Sequence, residues 1–373
     1  MATIILGDIV EVIKETVHNP QESGFQYFVG LEHYDSGEPL ITRYATPDNL
    51  TSSVKHFAKG DILVARRNVY LKRASLVDFE GVTSGDSIVL RAKDKKYQQI
   101  LPFILNSDDF WDYAEQNSDG TMSKRLSPAD LLDYEFEEPE NTELLADKLW
   151  AAYRVKESYR KLLAATDDML KAKFMEMFGD VRDNKYNYNI KKISEVCECY
   201  AGATPSTEQP SYWDGGNIPW MSSGEVNKRF VYNTDSFITA EGYSGCSTKM
   251  VPKHSVIIAL AGQGKTRGTV AVNEIELCTN QSLCAMIPKE DIDYMFLYVH
   301  LKNRYIEIRN MAGDATGRGG LNLRIINNID ILCPPLPLQQ QFVEIATQAE
   351  ATKESLRKSI ENIDQVIKSL INQ

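Results

Sequence analysis

The 373-residue chain lacks the sequence features of membrane, secreted and metal-binding proteins. No run of about 18 apolar residues occurs, which argues against a transmembrane helix. The amino terminus shows neither a basic segment nor a cleavage site of the kind found in secretory leaders. The six cysteines include no C-x-x-C pair, so we expect reduced, buried thiols and no metal site. These absences predict a cytoplasmic protein that does not bind a membrane.

Catalytic motifs are also missing. The chain has no H-E-x-x-H, no G-x-S-x-G and no Asn/Asp-Pro-Pro methyltransferase motif. Gly264-Lys-Thr resembles the end of a phosphate-binding loop, but position 259, where that loop needs glycine, is alanine. The residues that follow are typical of a turn and a strand, whereas a phosphate loop opens a helix. We expect no catalytic residue; an enzyme that binds nucleotide at Gly264-Lys-Thr is an alternative.

The acidic excess is confined to one stretch of the chain. The formal net charge is −11, and residues 1–140 carry 14 basic and 24 acidic side chains. Most of this excess lies in residues 108–140, where 11 acidic side chains accompany only Lys124 and Arg125. The rest of the chain is close to neutral, so the net charge does not exclude a nucleic-acid-binding surface. We expect the acidic stretch to face solvent or a partner, away from nucleic acid.

The two halves of the chain repeat the same order of elements at a spacing near 195 residues. Residues 57–66 and 251–260 each read as a polar turn followed by an apolar strand, and residues 83–90 and 279–286 repeat that pattern. Residues 126–133 match residues 323–330 in their apolar positions. A proline-marked boundary then follows in each half. The alternative is a chance likeness between two ordinary α/β segments.

A long helical pattern without internal glycine or proline follows each boundary. Apolar and small residues recur at gaps of three and four, which is the period of a coiled-coil seam. The predicted seam residues are Leu145, Leu149, Ala152, Val155, Tyr159, Leu162, Thr166, Met169 and Phe174 in the first helix, and Phe342, Ile345, Ala349, Thr352, Leu356, Ile360, Ile363, Ile367 and Leu370 in the second. Each helix is on the order of 50 Å long, too long to bury its seam against one small domain. We therefore expect the two helices to pair.

These patterns predict a mixed α+β protein built as domain, helix, domain, helix. The predicted divisions are a globular domain at residues 1–140, a central helix at 141–180, a second globular domain at 181–335 and a carboxy-terminal helix at 336–373. The internal repeat relates the two globular domains, and the two antiparallel coiled-coil helices separate them. The alternative is a pair of unrelated domains with accessory helices.

Cationic side chains occupy glycine-rich or polar loops at the same two positions of both halves. The candidate DNA-contacting residues are Arg66, Arg67, Lys124 and Arg125 in the first half, and Lys265, Arg267 and Arg318 in the second. Arginine can read guanine O6 and N7 through two hydrogen bonds, and lysine can bind phosphate. Any one of these residues could instead be an ordinary solvated cation. Their paired placement favours a nucleic-acid interface.

A segment rich in glycine, proline and aromatic residues, between residues 200 and 226, predicts a shaped loop. The candidate loop-shaping residues are Gly202, Thr204, Trp213 and Trp220 in this segment, and Gly262 and Gly264 in the cationic loop of the second half. The two tryptophans could stack on a ligand or hold the loop in place. We favour the second role.

In combination these motifs resemble the specificity (S) subunit of type I restriction-modification enzymes. The resemblance covers about residues 190–373 and rests on seven segments, namely Gly202-Ala-Thr-Pro-Ser, Tyr212-Trp-Asp-Gly-Gly-Asn-Ile-Pro-Trp, Ser223-Gly-Glu-Val, Lys253-His-Ser-Val-Ile-Ile-Ala, Gly262-Gln-Gly-Lys-Thr, Thr279-Asn-Gln and Pro334-Pro-Leu-Pro-Leu-Gln-Gln-Gln-Phe. The first half matches by the order of its elements and lacks the Gly-x-Thr-Pro and Tyr-Trp-x-Gly-Gly motifs.

The resemblance implies a non-catalytic subunit whose two target recognition domains each read one half of a split double-stranded DNA target. The spacer helices would set the gap and dock two methyltransferase (M) subunits, and two motor-nuclease (R) subunits would join them. S-adenosylmethionine, ATP and Mg would serve those partners, and this chain would hold no cofactor. The alternative class is an antiparallel coiled-coil scaffold that binds proteins without reading DNA.

Overall fold

The structure is a computed structural model that describes residues 2–120, 123–262, 264, 266–312 and 320–372. The chain forms two compact units, the first of Met1–Arg160 with Arg357–Gln373 and the second of Lys161–Leu356. Each long helix is divided between the two units, whereas the predicted domain boundaries treat each helix as a separate segment. Those boundaries stay a prediction.

Short strands and helices alternate in the first unit. Its strands are β1 (Thr3–Ile5), β2 (Val10–Ile13), β3 (Thr16–Val17), β4 (Phe28–Val29), β5 (Val54–Phe57), β6 (Ile62–Ala65), β7 (Ala74–Leu76), β8 (Gly81–Thr83), β9 (Ser87–Ala92), β10 (Ser118–Asp119), β11 (Arg125–Leu126) and β12 (Glu135–Glu137). Its helices are α1 (Leu6–Ile9), α2 (Lys95–Ile104), α3 (Asp108–Gln116), α4 (Pro128–Leu132) and the first part of α5 (Thr142–Phe178).

Two four-stranded sheets form the body of the first unit, with strand orders β2-β9-β6-β7 and β3-β5-β8-β4. All four residues of β6 are buried, as expected for an apolar run that is covered on both faces. Val64 packs in the core that contains helix α2, whereas its neighbour Leu63 packs with Phe57 of the second sheet. The chain leaves this core after Ala65, which is where the first cationic loop begins.

The second unit repeats this plan. Its strands are β13 (Asn189–Lys192), β14 (Cys197–Ala201), β15 (Ile218–Met221), β16 (Phe230–Val231), β17 (Ser236–Ile238), β18 (Val256–Ala259), β19 (Val270–Asn273), β20 (Cys278–Thr279), β21 (Leu283–Pro288) and β22 (Asp330–Cys333). Its helices are the rest of α5, α6 (Ile193–Val196), α7 (Ala240–Ser244), α8 (Tyr294–Asn303), α9 (Tyr305–Asn310), α10 (Leu323–Asn327) and the larger part of α11 (Leu336–Ile371). Its sheets have strand orders β14-β21-β18-β19-β16 and β17-β15-β20.

The internal repeat is visible in the strand order and in single hydrogen bonds. The order β2-β9-β6-β7 of the first unit recurs as β14-β21-β18-β19 in the second. The Lys93 N–H donates to the Ile9 carbonyl at 2.8 Å, and the Lys289 N–H donates to the Val196 carbonyl at the same distance. The predicted fold class, mixed helix and sheet with two repeated halves and two long helices, is therefore confirmed.

One detail of the predicted repeat is wrong. Residues 126–133 do not correspond to residues 323–330, because the alignment is offset by two positions. Ser127 caps α4 and Asn322 caps α10, each through its side-chain oxygen, so Leu126 corresponds to Leu321. The apolar pattern alone did not reveal this offset, whereas the polar capping residues mark it.

Local sequence features mark the ends of the two long helices. The Asn141 side chain accepts a hydrogen bond from the Leu144 N–H at 2.9 Å and caps the start of α5. Gly179 follows its last residue with a φ of 76°, a conformation that favours glycine at a helix end. Helix α11 carries Pro337 in its first turn, where a missing N–H costs nothing.

Within each unit the two long helices contact each other in antiparallel orientation, through an ion pair. In the first unit Lys156 of α5 lies 2.7 Å from Asp364 of α11, and in the second Lys353 of α11 lies 2.8 Å from Asp167 of α5. Lys353 stands 197 positions after Lys156, and Asp364 stands 197 positions after Asp167. The repeat therefore supplies both pairs, in reciprocal form.

The residues around these lysines carry a repeated motif that our sequence analysis missed. Lys156-Glu-Ser-Tyr-Arg-Lys in α5 recurs as Lys353-Glu-Ser-Leu-Arg-Lys in α11. Both lysines are buried, and each meets a second acid besides the aspartate: Glu38 in the first unit and Glu350 in the second. Burial alone would raise the pKa of Glu38, but Arg160 and Lys156 outweigh it and lower that pKa.

The predicted seam of α5 is partly wrong. Val155, Leu162 and Met169 are exposed by 44%, 48% and 47%, so they point away from α11. Leu149, Thr166 and Phe174 of the predicted seam are buried, and the buried face also contains Ala146, Tyr153, Lys156, Leu170 and Phe178. The prediction of the seam from apolar residues did not include Lys156, because this lysine is charged. It is buried because its charge is paired. Helix α5 thus carries a second apolar stripe on its outer side.

His300 of α8 is buried in the core of the second unit, stacked on Phe174 and Phe296 at ring distances of 5.3 and 5.9 Å. Its Nε2 accepts a hydrogen bond from the Leu332 N–H at 3.3 Å, which requires that nitrogen to be unprotonated. Burial, with a smaller contribution from Arg304, lowers the pKa of His300 to about 3. An unfolded chain would protonate His300 at a pH near 6.5, so its contribution to stability is lost as the pH falls below that value.

We expect the free energy of unfolding of the second unit to fall by about 1.4 kcal/mol per pH unit as the pH decreases from 6.5 to 5. His300→Gln keeps an acceptor for the Leu332 N–H and should remove this slope. Denaturant unfolding at several pH values measures it, with protection of the second unit followed by hydrogen exchange. Equal slopes for the wild type and His300→Gln would contradict the assignment.

Candidate DNA interface

The predicted cationic loops lie at equivalent places in the two repeats. Residues 66–73 connect β6 to β7, and residues 260–269 connect β18 to β19. Each connection follows a fully buried central strand. The second loop position is also shared, because the Leu126 N–H donates to the Arg66 carbonyl at 2.9 Å and the Leu321 N–H donates to the Leu260 carbonyl at 2.8 Å.

The four predicted residues of the first unit come together. Arg67 and Arg125 face each other across an isolated antiparallel bridge. The Asn68 N–H donates to the Lys124 carbonyl at 2.9 Å, which holds the two loop segments side by side. Arg67 and Arg125 are both exposed, while Arg66 is half-buried. Arg67 and Arg125, which stand 58 positions apart in the sequence, thus belong to one cationic surface.

Two acidic side chains form ion pairs with this surface and partly neutralise its charge. Asp86 lies 3.3 Å from Arg67 and 3.2 Å from Arg125, so one carboxylate serves both guanidinium groups. Lys124 lies 3.6 Å from Glu115 and also donates to the Glu115 carbonyl at 3.0 Å. Lys124 is therefore partly occupied within its own unit, whereas the arginines keep further N–H donors for another acceptor.

Sequence reasoning missed Lys55 as a member of this surface. Its Nζ donates to the Ser87 carbonyl at 2.6 Å, beside Asp86. Burial and the charge of Arg66 lower the pKa of Lys55, while Asp86 raises it. No local pattern marks this lysine, because it belongs to the second sheet and reaches the cluster only through packing of the fold.

The loop of residues 66–73 is held in a strained conformation. Asn68 and Lys72 have φ of 57° and 47°, in the left-handed region that costs on the order of 1 kcal/mol or more for residues other than glycine. Asn68 accepts a hydrogen bond from the Ser123 hydroxyl at 3.0 Å, and buried Arg73 donates to the Arg67 carbonyl at 2.9 Å. These contacts fix the backbone beneath the exposed arginines.

The corresponding loop of the second unit is built on glycine. Gly262, Gly264 and Gly268 have φ of 128°, 69° and 83°. Arg309 donates to the Arg267 carbonyl at 3.2 Å and ties the end of this loop to α9. The predicted contacts Lys265 and Arg318 lie outside the described residues. The loop leads into strand β19 and not into a helix, which disfavours the nucleotide-binding alternative.

The aromatic segment of the second unit is internally braced. Trp220 donates to the Ala203 carbonyl at 3.1 Å and Trp213 donates to the Ser206 carbonyl at 3.0 Å. Their rings meet edge to face with centroids 5.1 Å apart. Both indoles are thus engaged with their own loop, in agreement with a holding role.

Gly202 and Thr204 lie where this segment meets β20. A Cβ on Gly202 would stand 1.9 Å from the Thr279 carbonyl oxygen, so only glycine allows this approach. The Ala203 N–H donates to that carbonyl at 2.9 Å, and the Thr204 hydroxyl donates to the side chain of Gln281.

Asp108, Glu115 and Glu138 of the acidic stretch of residues 108–140 form ion pairs within the first unit. Asp108 lies 2.8 Å from Lys72 and 3.2 Å from Lys368, and hydrogen bonds from both lysines lower its pKa. Glu138 lies 2.9 Å from Lys96. These contacts, with that of Glu115, show that part of the acidity is neutralised by the fold itself.

Two searches of the described residues gave negative results. No cluster of three or more His, Cys, Asp or Glu side chains there is arranged to hold a metal ion. None of the helices in the described ranges combines the length and the apolar character needed to cross a membrane.

Comparison with known proteins finds matches to the second half of the chain. Residues 185–365 match the family described as "Type I restriction modification DNA specificity domain". The specificity subunit of the Escherichia coli type I restriction enzyme EcoR124I/EcoR124II is 26% identical over 196 residues, which are 48% of this chain and 48% of that subunit. The MjaIX specificity subunit of Methanocaldococcus jannaschii is 25% identical over 185 residues, 48% of this chain and 42% of that one. The matched region thus spans about half the length of these relatives.

Solved structures extend the likeness to the whole fold. The S subunit of a type I restriction-modification system from M. genitalium aligns with 99% of this chain and 94% of its own, with a TM-score of 0.59 at 15% identity. A chain from a study of complex assembly and conformational transition of the type I R-M system aligns with 100% of this chain and 96% of its own, with a TM-score of 0.51 at 17% identity. The first half, which lacks the family motifs, therefore shares the fold.

Proposed function

We propose that this chain, whose residues 185–365 belong to the type I restriction-modification DNA specificity family, is the subunit that selects the DNA sequence for such an enzyme. Each repeat would read one half of a split target. The observation that carries the proposal is the pair of equivalent loops, each leaving the buried central strand of the corresponding sheet in its own unit, with Arg66 and Arg67 in one repeat and Arg267 in the other.

The first unit offers the clearest recognition chemistry. Arg67 and Arg125 are exposed, adjacent and fixed at their backbones, so each can present paired N–H donors to a guanine edge or to phosphate. Lys124 is already paired with Glu115, which favours a weaker role at the backbone of DNA. Lys265, Arg267 and Arg318 are proposed for the second half-site by their place in the sequence.

We propose that the chain itself performs no catalysis and that its partners do. Methyltransferase subunits would use S-adenosylmethionine, and motor-nuclease subunits would use ATP and Mg. The coiled-coil scaffold alternative lacks support from the loops described above, since a scaffold needs no arginines at equivalent strand ends of both repeats.

The outer stripe of α5 is the proposed docking face for a partner helix. Val155, Leu162 and Met169 follow one another at intervals of seven, with the small residues Ser158 and Ala165 exposed between them. This alternation of large and small residues matches the seam of a coiled coil. The corresponding positions of α11 are mostly polar, namely Thr352, Ser355, Ser359 and Asn362, with Val366 as the apolar member.

Loss of the exposed arginines should weaken and broaden DNA recognition. Arg67→Gln and Arg125→Gln are each expected to cost about 1–3 kcal/mol on a duplex with the target sequence and to relax selection at one base pair. Titration of the full chain with its methyltransferase partner against target and altered duplexes measures both effects.

The matched control is Arg43→Gln, which removes another exposed arginine of the first unit that pairs with Asp35 outside the loops. It should bind as the wild type does. Wild-type affinity and selectivity in the double variant Arg67→Gln/Arg125→Gln would overturn the assignment.

Charged substitutions on the outer stripe should break partner assembly. Leu162→Glu/Met169→Glu places two carboxylates in a seam that would be desolvated, and we expect association with the methyltransferase subunit to weaken at least about 100-fold. Co-purification and sedimentation measure this. Phe237→Glu changes an exposed apolar residue of β17 and should leave assembly intact. Normal assembly of the double variant would show that partners bind elsewhere.

A further inference from the structure

Asp86 contacts both exposed arginines of the candidate interface in the first unit. It lies in the turn between β8 and β9, and its carboxylate is the shared acceptor of Arg67 and Arg125 at 3.3 and 3.2 Å. The Asp86 side chain is exposed by only 28%, less than either arginine. It therefore sits beneath the two guanidinium groups and faces their inner side.

The turn that carries Asp86 is held firmly against the cationic loop. The Arg66 N–H donates to the Asp86 carbonyl at 2.9 Å, and the Asp86 N–H donates to the Ser84 hydroxyl at 3.2 Å. The backbone that carries the Asp86 carboxylate is thus fixed in place. It cannot follow the arginines if they move outward.

The repeat shows that the fold does not need an acid at this place. In the second unit the Leu260 N–H donates to the Ser282 carbonyl at 2.8 Å, which repeats the backbone contact of Asp86 with Arg66. Serine suffices there, and Ala261 and Gly320 stand where the first unit has Arg67 and Arg125. An acid is therefore present at this position where the arginine pair is present, and the turn itself does not require it.

The cationic side chains around Asp86 indicate the electrostatic role of its carboxylate. Lys55, Arg66, Arg67 and Arg125 surround Asp86, and adjacent guanidinium groups repel each other unless an anion lies between them. Arg67 and Arg125 each give Asp86 one terminal nitrogen, Nη1 and Nη2 respectively. A guanidinium has five N–H donors, so the outer donors stay available in a fixed direction.

We propose that Asp86 is a positioning residue for sequence selection, and this inference rests on the proposed function. It holds Arg67 and Arg125 in the orientation that meets base edges. It also opposes their movement to phosphate, because that movement breaks their contact with a carboxylate that is fixed in place. Binding to unrelated DNA, which depends on phosphate contacts, is therefore penalised more than binding to the target.

The test is a selection from a random-sequence duplex library by the full chain co-expressed with its methyltransferase subunits. The wild type is expected to enrich a split motif, and the half that Arg67→Gln/Arg125→Gln degrades identifies the part read by the first unit. In Asp86→Asn we expect enrichment of that half to fall about tenfold while the other half is kept.

A second measurement uses one unrelated duplex. Asp86→Asn should bind it more tightly than the wild type does, with a logarithmic salt dependence steeper by about one, because one negative charge near the phosphates is gone. A purely structural role would instead weaken both kinds of binding. Asp35→Asn, which removes the partner of Arg43 elsewhere in the unit, should change neither.

The outcomes separate the two proposals. If the wild type enriches no motif, the proposed function fails; if Asp86→Asn enriches the same split motif as strongly as the wild type, only this inference is overturned. Should Asp86→Asn unfold at a lower temperature, Asp86→Glu takes its place, since it keeps the charge and shifts the carboxylate by one methylene. Reduced enrichment of the first half supports the proposal, and wild-type enrichment overturns it.

Discussion

The reciprocal pairing of Lys156 with Asp364 and of Lys353 with Asp167 is the constraint on which the helix pair depends. Lys156 and Lys353 are buried, so loss of the facing aspartate would leave a desolvated ammonium group with one acid in place of two. Each helix supplies one lysine and one aspartate, so parallel pairing or a shifted register would leave charges unmatched. Buried polar residues set register in coiled coils in the same way. Glu38 in one unit and Lys302 in the other extend each ion pair to the adjoining globular part.

The fold class could be predicted from the sequence because the patterns that indicate it are long or occur twice. The two helices lack internal breaks after the first turn, and the buried strands β6 and β18 are short apolar runs at matching positions. The cations after β6 were found for the same reason, because polar loops with cationic side chains recur at matching positions of the two halves. What escaped were features made by tertiary contact. Lys55 and Asp86 carry no local pattern, and the seam of α5 includes Lys156, which is buried because Asp364 and Glu38 pair with it.

The net charge of −11 is compatible with DNA recognition once the contacts are known. Acids of residues 108–140 pair with Lys72, Lys96, Lys124 and Lys368 within the first unit. The exposed arginines of the loops are few, and one carboxylate offsets two of them. Such a surface favours selectivity over general attraction to phosphate. Partner subunits would then supply much of the non-specific grip on DNA.

The most direct measurement is a map of methylated bases in the genome of cells that express this chain with its own methyltransferase subunit. The account predicts methylation at one split motif, two short defined sequences with a constant gap, and its disappearance when this chain is deleted. An unsplit motif, or methylation that persists without the chain, would contradict the account.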